Sequence, residues 1–85
     1  MKPDAAAIEG ALLEIFSRLE SWGRPLKTSP TAVCEELARE GFQAGRWSRG
    51  TLRPDRDLME RVVDVAFAAK LVVRTHGNTT SIAAG

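Results

Sequence analysis

The chain has 85 residues, of which 44% are apolar and 27% are charged, and its net charge is +1. This length predicts one domain, residues 1–85, and the near-neutral charge excludes a polycation that binds every phosphate backbone. No apolar run is long enough to cross a membrane and no secretory signal is visible, so we expect a cytoplasmic protein without membrane contact. The single cysteine, Cys34, cannot form an internal disulfide, which fits a reducing compartment.

The first predicted helix begins after Asp4, whose carboxylate is suited to cap free backbone amides. Its apolar residues recur at the three-and-four spacing of one helical face. They are Ile8, Ala11, Leu12, Ile15, Phe16, Leu19 and Trp22. Gly23 followed by Pro25 predicts the end of this helix, because proline cannot continue the hydrogen-bond ladder.

The next segment, Pro25–Thr28, is predicted to be extended. A second helix is predicted from Pro30 to about Glu40, because Ser29 can cap it and proline is favoured at a first helical position. Gly41 closes this helix, and its buried stripe is Val33, Cys34 and Leu37.

The connection Gly41–Arg53 contains three glycines, which disfavour regular structure. We therefore expect an ordered but irregular loop that is pinned by Phe42, Trp47 and Leu52. For Trp47 two roles remain open, since its ring can anchor the loop on the core or stack on a base.

A third helix is predicted from Pro54 to about Lys70, with an apolar stripe that includes Leu58, Val62 and Val65. The β-prone segments Leu71–Thr75 and Thr79–Ala83 follow, and the turn at His76-Gly77-Asn78 predicts a hairpin. The predicted core of the whole chain is Ile8, Leu12, Ile15, Phe16, Leu19, Val33, Leu37, Leu58, Val62, Val65, Phe67, Leu71, Val73 and Ile82.

The order helix, short strand, helix, helix and hairpin resembles the winged helix-turn-helix domain. In addition, Thr28-Ser29-Pro30, Val33, Leu37-Ala38 and Gly41-Phe42 are similar to the first helix of many bacterial helix-turn-helix units. The resemblance implies an α+β fold, mainly α, in which three helices precede a C-terminal β-hairpin wing and Pro25–Thr28 adds a strand to it. The connection Gly41–Arg53 departs from this family, whose tight turn has about three or four residues.

The feature with most functional weight is a series of arginines, Arg46, Arg49, Arg53 and Arg56, in the second half of the chain. A guanidinium group donates in a planar fork that suits phosphate oxygens, so such a cluster predicts salt-dependent binding to nucleic acid. Arg74 extends this set of predicted phosphate contacts. The resemblance implies base or wing contacts for Arg56, Arg61, His76 and Asn78.

One observation argues against base reading by the third helix. Its exposed face carries Asp57, Glu60 and Asp64, and carboxylates are repelled by the phosphates that line the major groove. The predicted function is therefore double-stranded DNA binding by a small transcriptional or phage-type regulator, with contacts through the loop, the helix start and the wing. Specific operator binding would require a homodimer.

The alternative function is a protein-interaction module, such as a phage-encoded inhibitor or a small subunit of a larger complex. We expect no enzyme, because the lone His76 has no catalytic partner and no residues are assigned as catalytic. We likewise expect no cofactor and no metal site.

Overall fold

The computed structural model describes residues 1–85 and has an α+β fold with three helices and five strands, so the predicted α+β class is confirmed. The helices are α1 (Ala5–Ser21), α2 (Pro30–Arg39) and α3 (Arg56–Ala68). The strands are β1 (Lys27–Thr28), β2 (Gly45–Ser48), β3 (Thr51–Pro54), β4 (Val72–His76) and β5 (Thr79–Ala83). The three helices pack against one another and bury a single core.

Two separate antiparallel sheets flank the helices. The larger sheet has the strand order β1-β5-β4, and the smaller one pairs β2 with β3. In the larger sheet Thr28 of β1 lies opposite Ile82 of β5, and the Ile82 side chain is fully buried. The prediction that the short segment after Pro25 pairs with the C-terminal hairpin is confirmed.

Local capping chemistry fixes the starts of α1 and α2. The Asp4 carboxylate accepts a hydrogen bond from the Ala7 amide at 2.9 Å, and the Ser29 hydroxyl accepts one from the Ala32 amide at 3.1 Å. A cap of this kind is worth about 1 kcal/mol. Both caps are the ones that the sequence predicts.

The hydrophobic core contains most of the predicted residues, with one clear exception. Its fully or nearly buried members are Ile8, Ala11, Leu12, Phe16, Val33, Cys34, Leu37, Ala44, Leu52, Leu58, Val62, Ala66 and Ile82. The prediction for Phe67 is wrong, because its side chain is 59% exposed. Phe67 lies about 100° around the helix axis from the buried Ala66, outside the stripe through which α3 contacts the core.

The prediction of an irregular loop between α2 and α3 is also wrong, because residues 45–54 form the β2–β3 hairpin. Its turn consists of Arg49 and Gly50, which both have positive φ, 53° and 79°. Two such residues form the type I′ turn, whose twist matches that of the flanking strands. The glycines of this segment therefore permit a tight hairpin and do not interrupt regular structure.

The start of α3 is two residues later than predicted. Pro54 is the last residue of β3, opposite Gly45, and the Asp55 amide donates to the Ala44 carbonyl at 2.9 Å. This bond keeps the backbone extended at Asp55, so that helical geometry begins only at Arg56.

A buried carboxylate links α1 to α2. Glu36 is only 6% exposed, and one of its oxygens accepts hydrogen bonds from Arg18 at 2.5 Å and from Arg39 at 3.0 Å. Burial opposes ionisation of Glu36, but the two guanidinium groups outweigh it and hold the pKa below its ordinary value. The ion pair should therefore stabilise the fold at neutral pH.

We expect Glu36→Gln to lower the free energy of unfolding by about 1–3 kcal/mol at neutral pH, because it leaves two guanidinium groups without a charged acceptor. Since the folded-state pKa is depressed, this contribution is present above the unfolded pKa of about 4.3 and disappears as the pH falls through the folded value. Urea unfolding at neutral and acid pH measures it. Glu35→Gln, at a half-buried site on the same helix without an ion pair, is the matched control; equal losses in both variants would contradict the assignment.

Candidate functional site

The β2–β3 hairpin turns two arginines to the same face. Arg46 and Arg53 lie directly opposite each other, and directly opposed residues of antiparallel strands share one face of the sheet. Both are exposed, and the ion pairs of this protein all involve Glu36 instead. Opposed like charges destabilise a hairpin unless an anion lies between them. This face of the hairpin is therefore suited to bind a negatively charged group.

An open polar cleft lies beside this pair of arginines. Its lining is Lys2, Gln43, Gly45, Arg46, Arg53, Pro54, Asp55 and Arg56. Four of these residues are cationic and one is acidic, and none has a large apolar side chain. We call it the basic cleft. The excess of positive charge favours an anionic ligand over an apolar or cationic one.

A second cleft lies between the start of α2, the first half of α3 and the tip of the C-terminal hairpin. Its lining is Ser29, Pro30, Thr31, Arg56, Met59, Glu60, Val63, Asn78, Thr79 and Thr80. We call it the hydroxyl cleft, because four of its ten residues carry a hydroxyl group. Arg56 lines both clefts, so it connects the β2–β3 hairpin to the tip of the C-terminal hairpin.

Trp47 and Arg49 complete the exposed part of the β2–β3 hairpin. Trp47 is 61% exposed, so the expectation that it anchors this segment is wrong. The reason is that β3 packs against α2 while β2 lies outside it, and only Ala44, Leu52 and the half-buried Phe42 of this segment reach the core. Trp47 is therefore free to stack on a partner. Arg49 is exposed at the tip of the turn, beyond the basic cleft.

Arg74 and His76 lie apart from both clefts, on β4. Arg74 lies opposite Ser81 and His76 opposite Thr79. They alternate with Val73, which packs against the core, so they occupy the outer face of the sheet. Of the predicted site residues, the basic cleft thus brings together Arg46, Arg53 and Arg56, and the hydroxyl cleft adds Asn78.

Arg61 has a different partner from the one that the resemblance implies. Its guanidinium group donates to the Pro3 carbonyl at 2.7 Å, across 58 positions of the chain. Arg61 lines neither cleft. Its hydrogen bond instead holds the N-terminal segment against α3.

Lys2 is the site residue that sequence reasoning missed. It reaches the basic cleft because the Gln43 amide donates to the Met1 carbonyl at 2.9 Å and so ties the N-terminus to the segment before β2. A lone lysine near a chain end carries no sequence pattern that would reveal this contact.

The exposed face of α3 remains acidic in the folded protein. Asp57, Glu60 and Asp64 are all exposed, and none forms an ion pair. These carboxylates would face the phosphates if α3 entered a major groove. The two charge signs meet at the N-terminal end of α3, where Arg56 and Glu60 both line the hydroxyl cleft.

The Cys34 thiol and the His76 imidazole are the side chains best suited to nucleophilic or acid-base chemistry. Burial, together with the charges of Asp55 and Glu35, raises the pKa of the Cys34 thiol to about 11, so little thiolate forms at neutral pH. His76 is exposed at the end of β4.

No group of three or more His, Cys, Asp and Glu residues is arranged to hold a metal ion. None of the helices combines the length and the apolar character needed to cross a membrane.

Comparison with known protein families, with characterised proteins and with solved structures gives no significant match to this chain.

Proposed function

We propose that this protein binds double-stranded DNA as a small transcriptional or phage-type regulator of the winged-helix type. The observation that carries the proposal is the group of exposed arginines on and beside the β2–β3 hairpin, none of which is neutralised by a carboxylate. Arginine clusters of this kind bind phosphate oxygens through forked hydrogen bonds and release condensed counterions. The net charge of the whole chain is only +1, so this cluster is a local excess of positive charge and does not reflect a generally basic composition.

The arrangement of the larger sheet supports the winged-helix part of the proposal. A strand after the first helix pairs with the last strand, and a hairpin follows the third helix, which gives the order β1-β5-β4. In this interpretation the C-terminal hairpin is the wing, with Arg74, His76 and Asn78 on it. The β2–β3 hairpin is then an insertion between α2 and α3 that supplies a second, more basic projection.

The charge distribution favours binding through the two hairpins rather than through insertion of α3. Arg46, Arg49, Arg53 and Arg56 would contact one stretch of phosphates, and Arg74 would contact another from the C-terminal hairpin. Asn78, which lines the hydroxyl cleft together with Arg56, is the candidate for base contact. Because a domain of this size reads one half-site, specific recognition of a palindromic operator would require a homodimer.

Fluorescence anisotropy with random-sequence duplex DNA tests the proposal. Five arginine-phosphate contacts predict that log K falls with log salt with a slope of about −4.5. A fourfold rise in salt should then lower the affinity by roughly 500-fold. If no binding occurs at low salt, or if the affinity does not depend on salt, the proposal is wrong.

The strained turn residue Arg49 allows a separate prediction. Its positive φ of 53° is unfavourable for arginine but well tolerated by asparagine. We expect Arg49→Asn to raise the free energy of unfolding by about 0.5–1 kcal/mol and to lower duplex affinity roughly fivefold to tenfold at moderate salt, through loss of one phosphate contact. Urea unfolding and anisotropy measure the two effects. An unchanged affinity would show that Arg49 does not contact DNA.

A protein-interaction module is the second candidate, and two separate features favour it, the exposed Trp47 on β2 and the acidic face of α3. Tryptophan is enriched where it buries a large area against a partner protein. In this case duplex binding would be absent, and the protein would retain a partner in pull-down experiments that Trp47→Ala disrupts without affecting the fold.

A further inference from the structure

We infer that the basic cleft is a site for adjacent phosphodiester groups of the DNA backbone, bound by Lys2, Arg46, Arg53 and Arg56. This inference rests on the proposed function and adds to it a defined anion site and a contribution from the N-terminal segment. The chemistry that it assigns is recognition of a phosphate group and not of a base.

Four separate parts of the chain bring positive charge into this cleft. Lys2 comes from the N-terminal segment, Arg46 from β2, Arg53 from β3 and Arg56 from the first turn of α3. Asp55 is the single acidic residue of the lining, and it does not pair with any of the four cations. Their mutual repulsion is relieved when an anion binds between them, so the cleft has an intrinsic preference for a negatively charged ligand.

The N-terminal segment is fixed against the rest of the protein, and this fixes Lys2. On one side of Lys2 the Met1 carbonyl accepts from the Gln43 amide at 2.9 Å. On the other side Pro3 is fully buried and its carbonyl accepts from Arg61 at 2.7 Å. Lys2 is held between these two anchors. Arg61 therefore acts as a positioning residue for the anion site.

The shape and lining of the cleft favour a phosphate that belongs to a polymer. The cleft is open to solvent along its length, with a volume of about 560 Å³, which exceeds the needs of one phosphate group and leaves room for the chain on either side. None of its lining residues has a large aliphatic or aromatic side chain on which a base or an acyl chain could pack. The side-chain amide of Gln43 adds a neutral hydrogen-bonding group to the lining of the cleft.

The first test is an NMR titration of the ¹⁵N-labelled protein with inorganic phosphate, in which phosphate replaces chloride at constant ionic strength. We expect saturable shifts of the amides of residues 45, 46, 53 and 56, and a severalfold weaker affinity in Lys2→Ala. Lys27→Ala removes an exposed lysine on β1, outside the cleft, and should leave the affinity unchanged. Non-saturable shifts, or equal effects of both variants, would overturn the inference.

The second test separates the positioning role of Arg61 from a general effect on the fold. Arg61→Ala and Lys2→Ala should weaken phosphate binding to a similar extent, and the double variant should be no weaker than Lys2→Ala alone. Additive losses would contradict the positioning role. If Arg61→Ala does not fold, Arg61→Met, which keeps an unbranched side chain but has no N–H donor, replaces it in the cycle.

Duplex DNA then distinguishes this inference from the proposed function. The salt slope of duplex binding should decrease by about 0.9 in Lys2→Ala, because one phosphate contact is lost. A protein that binds duplex DNA with an unchanged slope in Lys2→Ala would keep the proposed function and lose the anion site. Saturable phosphate binding without duplex binding would keep the anion site and rule out the proposed function.

Discussion

The double variant Arg49→Glu/Arg53→Glu should bind duplex DNA at least about a hundredfold more weakly than the unmodified protein at moderate salt. Two phosphate contacts are lost, and two carboxylates are placed where the backbone would lie, so that counterion release is replaced by repulsion. Anisotropy at two salt concentrations measures the loss and should also show a smaller salt slope.

The fold of this variant should be preserved, which allows a clean interpretation. Both arginine side chains are exposed, and the carboxylate introduced at position 53 would face Arg46 across the hairpin, so a repulsive pair becomes an attractive one. Arg24→Glu/Lys27→Glu makes the same change of charge at exposed positions outside both clefts and serves as the control. A similar loss in the control would mean that net charge, and not the β2–β3 hairpin, determines the affinity.

Replacing Gly45 by alanine should cost at least about 3 kcal/mol of stability. Gly45 has a φ of 152°, and a Cβ atom there would lie 2.1 Å from the Arg53 carbonyl oxygen and 2.9 Å from the Pro54 Cα. The clashing atoms belong to the backbone, so no side-chain rotation relieves the overlap. The two strands would have to separate, and this would expose Ala44 and Leu52, which are buried on either side of the clash.

Gly10→Ala is the matched control for this prediction, since it makes the same chemical change in the middle of α1. A Cβ atom at Gly10 would have no atom within 4 Å beyond its own helical turn, and this position is exposed on the helix surface. Alanine there should stabilise the protein by about 0.5–1 kcal/mol. Urea unfolding monitored by circular dichroism compares the two variants. If Gly45→Ala were as stable as the unmodified protein, the described hairpin geometry would be wrong.

The sequence predicts best those parts of the fold that are determined by local chemistry. Asp4 and Ser29 cap their helices through residues three positions away, so a short window contains the whole interaction. The turn of the C-terminal hairpin is likewise local, because Gly77, with a φ of 63°, suits the first position of a two-residue turn.

The β2–β3 hairpin is not predictable in the same way. Its turn begins with Arg49, whereas asparagine, aspartate or glycine is typical at that position. Its strands lack a β-branched apolar pattern and are held by the burial of Ala44 and Leu52 against the helices. In sequence Gly45 resembles a breaker of regular structure, although the close approach of the two strands requires it.

The composition of the candidate site is visible in the sequence, but its arrangement is not. The arginine series stands out among the residues of the second half, yet the strand register decides that Arg46 faces Arg53 while Trp47 lies on the other side of the hairpin. The roles of Lys2 and Arg61 depend on a contact between the N-terminus and α3, and no local pattern encodes it.

The measurement that tests the central claim most directly is an NMR titration of the ¹⁵N-labelled protein with a short duplex DNA. If the hairpins bind the backbone, shifts should concentrate in residues 45–56 and 74–80, with little change on the acidic face of α3 beyond Glu60. Shifts confined to Glu60 and Asp64, or the absence of saturable shifts at low salt, would contradict DNA binding by this basic surface.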